Sequence, residues 1–282
     1  MLSKDRVTGQ FRPIADISVA DCLSMYNLFI QYYDNTPLDV FVRDMSRKTG
    51  VFVISRVSDD KLVGFSTITN FEVDSNGKRV RCLFSGDTVV DRAYWGTSAL
   101  RITTFLYVIR QKILHPFTPL YWYLISMGYR TYMVMANNFP NYYPCVDGDK
   151  PELKDIAVQA SEHLFPGMLD RDRMMIHFGD DACKLKGDVT PITPADRQHP
   201  KIAFFEKRNP RWMHGDEMPC VGAFDFAMIW GMISEAPRKL FHLDYRKRAA
   251  NRTRAKADAK AASQHQAHSV ASDDDEALQQ AR

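Results

Sequence analysis

The sequence lacks most of the short signatures that announce a chemistry. It has no Gly-x-Ser-x-Gly elbow for serine hydrolysis, and neither a P-loop nor a Gly-x-Gly-x-x-Gly turn for nucleotide chemistry. Five cysteines (Cys22, Cys82, Cys145, Cys183, Cys220) are odd in number, widely spaced and free of CxxC pairs. They argue against both a disulfide framework and a zinc site. His177 in MMIHFGDD and His214 in RWMHGDEM lie beside carboxylates but at no zinc-ligand spacing, so no metal site is expected. The longest apolar run, Val221 to Ile233, is broken by Asp225 and reads as a buried element rather than a membrane span. MLSKDRVTGQF at the start holds no apolar h-region, so no signal peptide is expected and the cytosol is the expected compartment.

Excess charge is also missing from most of the chain. Residues 245–282 contain eight Lys/Arg and five Asp/Glu, which leaves 29 of each sign in residues 1–244. A neutral body argues against a dedicated duplex-binding domain. The tail has seven basic residues against one Asp from Arg246 to Lys260, then a DDDE run, and no aromatic after Tyr245. It is expected to be disordered, and its basic stretch to touch nucleic acid, an acidic partner or anionic lipid weakly if at all. The expected organisation is one α/β domain over 1–244 and a tail over 245–282.

What is present is patterned. Phe11–Ala15 can form a strand, and Ile17–Tyr33 follows helical spacing with Ser18 or Asp21 as its cap. Leu38–Lys48 reads as a second helix closed by Gly50. Three strands follow: Val51–Val57, Leu62–Val73 and Val80–Val90, the last two joined through Asn76-Gly77, a strong hairpin signal. Strict alternation would put Ser85, Asp87 and Val89 on one face of the third strand, opposite Phe84, Gly86 and Thr88. Tyr94–Leu114 reads as a long helix, Leu120–Met127 as another, and Thr131–Met135 as a strand before the aromatic loop 137–144. A helical insertion is expected over about 146–194, a late strand at Lys201–Glu206, and a helix at Phe224–Lys239.

The order β, α, α, β, β, β, long α, β resembles that of the GNAT (N-acetyltransferase) superfamily. The segment SGDTVVDRAYWGTSAL, Ser85 to Leu100, looks like that family's central strand and pyrophosphate-binding turn. In the family an Arg or Gln is followed after two residues by Gly, any residue, then Gly or Ala. Here Trp95 stands for the Arg or Gln, Ser98 for the first Gly and Leu100 for the last. The resemblance implies a mixed, mainly antiparallel sheet flanked by helices, with the central strand splayed from its neighbour to receive an acyl-pantetheine arm. It implies donor contacts from Val89, Val90, Trp95, Gly96, Thr97, Ser98, Arg101 and Asn138. Small turn residues and a helix N-terminus suit a diphosphate because backbone N–H groups can approach it. The altered turn also resembles the long-chain N-acyl amino acid synthase branch, whose members take acyl groups from acyl carrier protein.

The implied reaction is acyl transfer from acyl-CoA or acyl carrier protein to an amine, by direct attack on the thioester. Such a reaction needs a base for the ammonium and an acid for the thiolate. Asp87 or Glu72 is the expected base; Tyr142 or Tyr143 is the expected acid. The turn-rich stretch Asn209–Glu217 is expected to border the pocket. The alternative is a catalytically inactive member of the same fold that binds a ligand or a regulatory partner.

Overall fold

A computed structural model describes residues 5–179, 183–186, 192–225 and 228. The chain divides into two units, Met1–Met228 and Ile229–Arg282. The expected tail and most of the helix expected at Phe224–Lys239 lie outside the described residues.

Seven strands make one sheet: β1 (Val7–Pro13), β2 (Gly50–Arg56), β3 (Leu62–Ser75), β4 (Lys78–Val90), β5 (Leu120–Ser126), β6 (Tyr142–Tyr143) and β7 (Met218–Ala223). Their spatial order is β1-β2-β3-β4-β5-β7-β6, and only β4 with β5 is parallel. The three meander strands form where the sequence expects them. Asn76 (φ 50°) and Gly77 (φ 75°) form its two-residue turn, with both residues at the positive φ that a type I′ hairpin requires.

Among the described residues there are six α-helices: α1 (Val19–Phe29), α2 (Leu38–Met45), α3 (Ala99–Leu114), α4 (Tyr129–Asn138), α5 (Pro151–Leu164) and α6 (Pro200–Arg208). The Ser18 hydroxyl accepts from Asp21 N–H and the Asp21 carboxylate accepts from Ser18 N–H, so both expected caps act together as a capping box on α1. Met25 and Phe29 of α1 and Phe41 and Met45 of α2 pack on Val51, Val53, Phe65 and Val89. Leu153, Ile156 and Ala157 of α5 pack on Phe71, Val73, Cys82 and Phe84. On the opposite face, Tyr107 of α3 lies against Phe11 and Phe52. Burying each large apolar side chain stabilises the fold by about 1.5–3 kcal/mol, and Phe52 and Phe65 are fully buried.

A bulge in β4 sets which side chains share a face. Ser66 pairs with Thr88 and Ile68 with Ser85, so β4 carries one more residue than β3 between those pairs. Phe65, Phe71 and Val73 alternate regularly along β3, and pair with Val89, Cys82 and Val80. Val89 therefore lies on the same face as Cys82 and Phe84, and Asp87 lies with it. Strict alternation had put Phe84 opposite; the extra residue reverses the parity.

Other elements also depart from expectation. Leu120–Met127 is strand β5 rather than a helix, and Thr131–Met135 lies within helix α4 rather than a strand. Short apolar runs carry no decisive period, so the neighbouring ladders settle them. Lys201–Glu206 is within helix α6, started by Pro200 at its first turn; the late strand is Met218–Ala223 instead. Gly50 opens β2 rather than closing α2, and the α3 helix begins at Ala99 after a 3-10 turn at Arg92–Tyr94. Among its described residues the stretch 146–194 contains one α-helix, α5, followed by a two-strand ladder of Leu169–Asp170 with Met175–Ile176. Among the described residues no helix is long and apolar enough to cross a membrane.

Candidate active site

The β4–β5 ladder runs from Arg81↔Leu120 to Phe84↔Tyr123 and stops. Beyond it β5 stays paired with β7 through Ser126↔Met218, while β4 stays paired with β3 to Val90. The two parallel strands therefore part after Phe84. The sheet opens into a cleft only in the sense of this parting: Ser85–Val90 forms an edge with no described strand partner on the β5 side.

Two carboxylates come within electrostatic reach of each other where the strands part. Asp87 is in the bulge of β4. Glu217 is the residue before β7, where its backbone exchanges hydrogen bonds with Ile176 at 2.8 and 2.9 Å. Both side chains are half-buried. Burial pushes the Asp87 carboxyl above the ordinary carboxylate range; Lys48 opposes that rise, and Asp44 adds to it by charge and by a side-chain hydrogen bond. Glu217 is pushed up to about 8, first by burial and then by the charge of Asp87. Burial also raises the Tyr33 phenol, with Asp87, Cys183 and Glu217 adding to the rise. The Cys183 thiol is pushed up to about 11 by burial, with further upward push from Asp87 and Glu217. Asp87, Glu217, Tyr33 and Cys183 are thus within electrostatic reach of one another.

Gly86 sits beside Asp87 with almost no room. A Cβ there would be 2.5 Å from Thr67 Oγ1 and 3.5 Å from Lys48 Nζ. Thr67 is fully buried, and its hydroxyl has no hydrogen-bond partner among the described residues.

The turn after β4 lies at the same end of the sheet. Asp91 caps the 3-10 turn by accepting from Ala93 N–H at 2.8 Å, and the Tyr32 hydroxyl accepts from Arg92 N–H at 3.0 Å. Gly96 is left-handed at φ 79°. Ser98 precedes α3 without a side-chain capping hydrogen bond of the kind Ser18 makes on α1. Trp95 Nε1 donates to the Val90 carbonyl at 2.7 Å, on the open stretch of β4. Leu100 packs against Ile54, Val63 and Tyr94.

Of the residues singled out from sequence, the fold brings together Asp87, Val89, Val90, Trp95, Gly96, Thr97, Ser98 and Arg101 at the C-terminal end of β4. Val89 is buried under α1, whereas Arg101 is exposed. Glu72 is elsewhere. It pairs with Arg81 at 2.8 Å, about 20 Å along β4 from Asp87 at ~3.3 Å per residue. The Arg81 guanidinium holds its carboxyl below the usual range. Tyr142 and Tyr143 are on β6, three strand spacings or about 14 Å from β4. Both are buried; the Tyr143 hydroxyl accepts from Arg208 at 3.2 Å. Asn138 ends α4 and donates to Val134 O at 2.7 Å.

Glu217, Tyr33 and Lys48 were not read from sequence as site residues. The Gly215-Asp216-Glu217 turn was expected to border a pocket, but nothing in its letters pairs Glu217 with a residue 130 positions earlier. Next to it, Asp216 is buried and holds His177, Arg173 and Arg211 at 3.0, 3.0 and 3.6 Å. That cluster ties the segment after α5 to the approach of β7.

No protein-family model matches the chain, and no curated protein does. Solved structures overlap it in part. A conserved protein of Enterococcus faecalis, described as a probable N-acyltransferase, is 18% identical over 47% of this chain and 32% of its own, with a TM-score of 0.36. The glucosamine-6-phosphate N-acetyltransferase of Arabidopsis thaliana is 13% identical over 41% and 81%, with a TM-score of 0.31. The N-myristoyltransferase of Saccharomyces cerevisiae, with bound myristoyl-CoA, is 12% identical over 45% and 32%, also at 0.31. The matched part of this chain therefore spans about a third of the Enterococcus protein. Overlaps this partial do not decide what the chain does.

Proposed function

We propose that this chain is an N-acyltransferase of the GNAT kind, moving an acyl group from a CoA thioester to an amine. The observation that carries the reading is that Asp87 and Glu217 come within electrostatic reach of each other where β4 parts from β5. The open edge of β4 would receive the pantetheine arm. The uncapped start of α3 after Gly96, Thr97 and Ser98 would face the diphosphate. Asp87 takes a proton from the acceptor ammonium, and the free amine attacks the thioester carbonyl carbon. The C–S bond then breaks and the thiolate takes a proton. Glu217 still holds a proton near neutral pH and is a nearby acid for that step; Tyr33 is a weaker one because burial has raised it. Tyr142 and Tyr143, buried two strands beyond β5, would reach the thiolate only if that wall opened. An acyl carrier protein is the alternative donor, and the cytosol the proposed compartment.

The test is transfer itself. The full chain is incubated with acetyl-, medium- and long-chain acyl-CoA, or acylated carrier protein, and a panel of amines, and the N-acyl product is followed by mass. Turnover with at least one pair, falling about 10²–10⁴-fold in Asp87→Asn, is expected. Absence of both product and any rise in melting temperature with the donors would sink the reading, since a ligand of the native state must raise the midpoint.

One observation favours a second reading, an inactive member that binds an acyl ligand. The indole of Trp95 already pairs with the Val90 carbonyl on the edge the donor arm would use. That reading expects donor-induced stabilisation without product.

A further inference from the structure

Helix α3 is apolar on both of its sides. Thr103, Tyr107, Val108 and Gln111 are its buried residues, and Tyr107 meets Phe11 of β1 and Phe52 of β2. At about 100° per residue, the arc turned away from the sheet carries Phe105, Ile109, Ile102, Ile113 and Leu106, in that angular order. Ile102 is 51% exposed, Leu106 61% and Ile113 72%. Phe117, in the turn after the helix, is 97% exposed. A surface helix ordinarily sets charged and polar residues on the side opposite its core. Here an apolar stripe about 100° wide is there instead.

Cations border the stripe. Lys112 and Arg101 lie at one edge of the arc and Arg110 at the other. From Arg92 to Val146 the chain has five Arg and Lys and no Asp or Glu, so α3 and the turns at both its ends bring no negative charge of their own. Glu72, whose charge reaches His115 at the end of α3, is already paired with Arg81 at 2.8 Å and Arg79 at 3.9 Å. A partner that matches this surface is apolar opposite the stripe and anionic beside it. The headgroup and acyl layers of an anionic bilayer have that arrangement. A second copy does not, because two α3 faces set together would bring their Arg and Lys side by side with no carboxylate on either helix to balance them.

We propose that α3 is an interfacial helix that seats the protein on the surface of a bilayer containing anionic lipid. Leu106, Ile109 and Ile113 enter the boundary between headgroups and acyl chains, and Arg101, Arg110 and Lys112 contact the phosphates. The helix has 16 residues and is held to the sheet along its other side, so it lies in the interface rather than crossing it. This surface is independent of the acyl-transfer reading and stands whatever reaction the chain performs.

The test is co-sedimentation of the full chain with vesicles of phosphatidylcholine alone and of phosphatidylcholine mixed with phosphatidylglycerol. Binding to the mixed vesicles is expected, weaker in high salt and weaker still without phosphatidylglycerol. Leu106→Glu alters an exposed side chain and should weaken binding by at least about tenfold, as expected when a leucine can no longer be buried. Arg101→Gln combined with Arg110→Gln should weaken it about 30-fold, at about fivefold for each cation. Unchanged melting temperatures show that both variants are folded. The basic stretch Arg246–Lys260 is the same in every variant and can attract anionic vesicles by charge alone. Equal binding of wild type and Leu106→Glu would therefore assign the contact to that stretch and overturn the proposal, as would no binding to either vesicle. Sedimentation velocity without lipid supplies the remaining outcome. A dimer that Leu106→Glu dissociates would make a second copy the occupant of this face and also overturn it.

Discussion

Replacing Glu217 by Gln should change how stability depends on pH, with a sign fixed by the cleft. A glutamate with an ordinary value of 4.5 titrates at about 8 in the folded protein. Between those values the unfolded chain has released the proton and the folded chain has kept it, so stability falls as pH rises. The stabilisation is complete below the unfolded value and is lost as pH rises through the folded one. At about 1.4 kcal/mol per pH unit, the ceiling is about 5 kcal/mol. The side chain is half-buried and part of the rise comes from the charge of Asp87, so roughly half of that, ~2–3 kcal/mol, is the expected effect. Glu217→Gln keeps the shape and has no proton to lose. It should match wild type near pH 5 and exceed it by that amount near about pH 8.5. Urea unfolding followed by tryptophan fluorescence reads this directly. With a slope of about 3 kcal/mol per molar urea, the midpoints should separate by up to ~1 M across the range. Wild-type and variant midpoints that stay parallel from acid to alkaline pH would refute the reasoning.

Gly86→Ala should cost about 1–3 kcal/mol, because the new Cβ meets the buried Thr67 hydroxyl. Thr67→Ala in the same chain should recover part of that loss in a thermal melt, and failure to recover would mean the strain is elsewhere. Glu72→Gln should leave acyl transfer within about twofold, since its ion pair with Arg81 is a half-exposed cross-strand contact of about 0–1 kcal/mol far from the cleft; a fall comparable with Asp87→Asn would return Glu72 to the role of base.

The parts of the fold legible in the sequence are those where local chemistry is sufficient. Ser18 and Asp21 specify the start of α1 within four residues, and Asn76-Gly77 specifies the hairpin because both positions need positive φ. Alternation then marks β2, β3 and β4, and with them the position of Asp87 and of the turn that follows. Elements whose state depends on distant neighbours were misread. LYWYLIS became a strand because β4 and β7 flank it, and TYMVM became helix on the sheet it covers. MPCVGA contains a Pro and a Gly that argue locally against a strand, yet it pairs along the whole of its length with β5.

The candidate site divides in the same way. By itself the sequence determined that a carboxylate stands at the end of the third meander strand, next to a glycine and just before a small-residue turn and a long helix. It could not determine which face Asp87 occupies, because a one-residue bulge reverses the parity of every later side chain. Nor could it bring Glu217, 130 residues away, and Lys48 within electrostatic reach of Asp87. Those relations belong to the tertiary structure. They arise where two parallel strands part, and desolvation and charge act through space between groups that the chain keeps far apart.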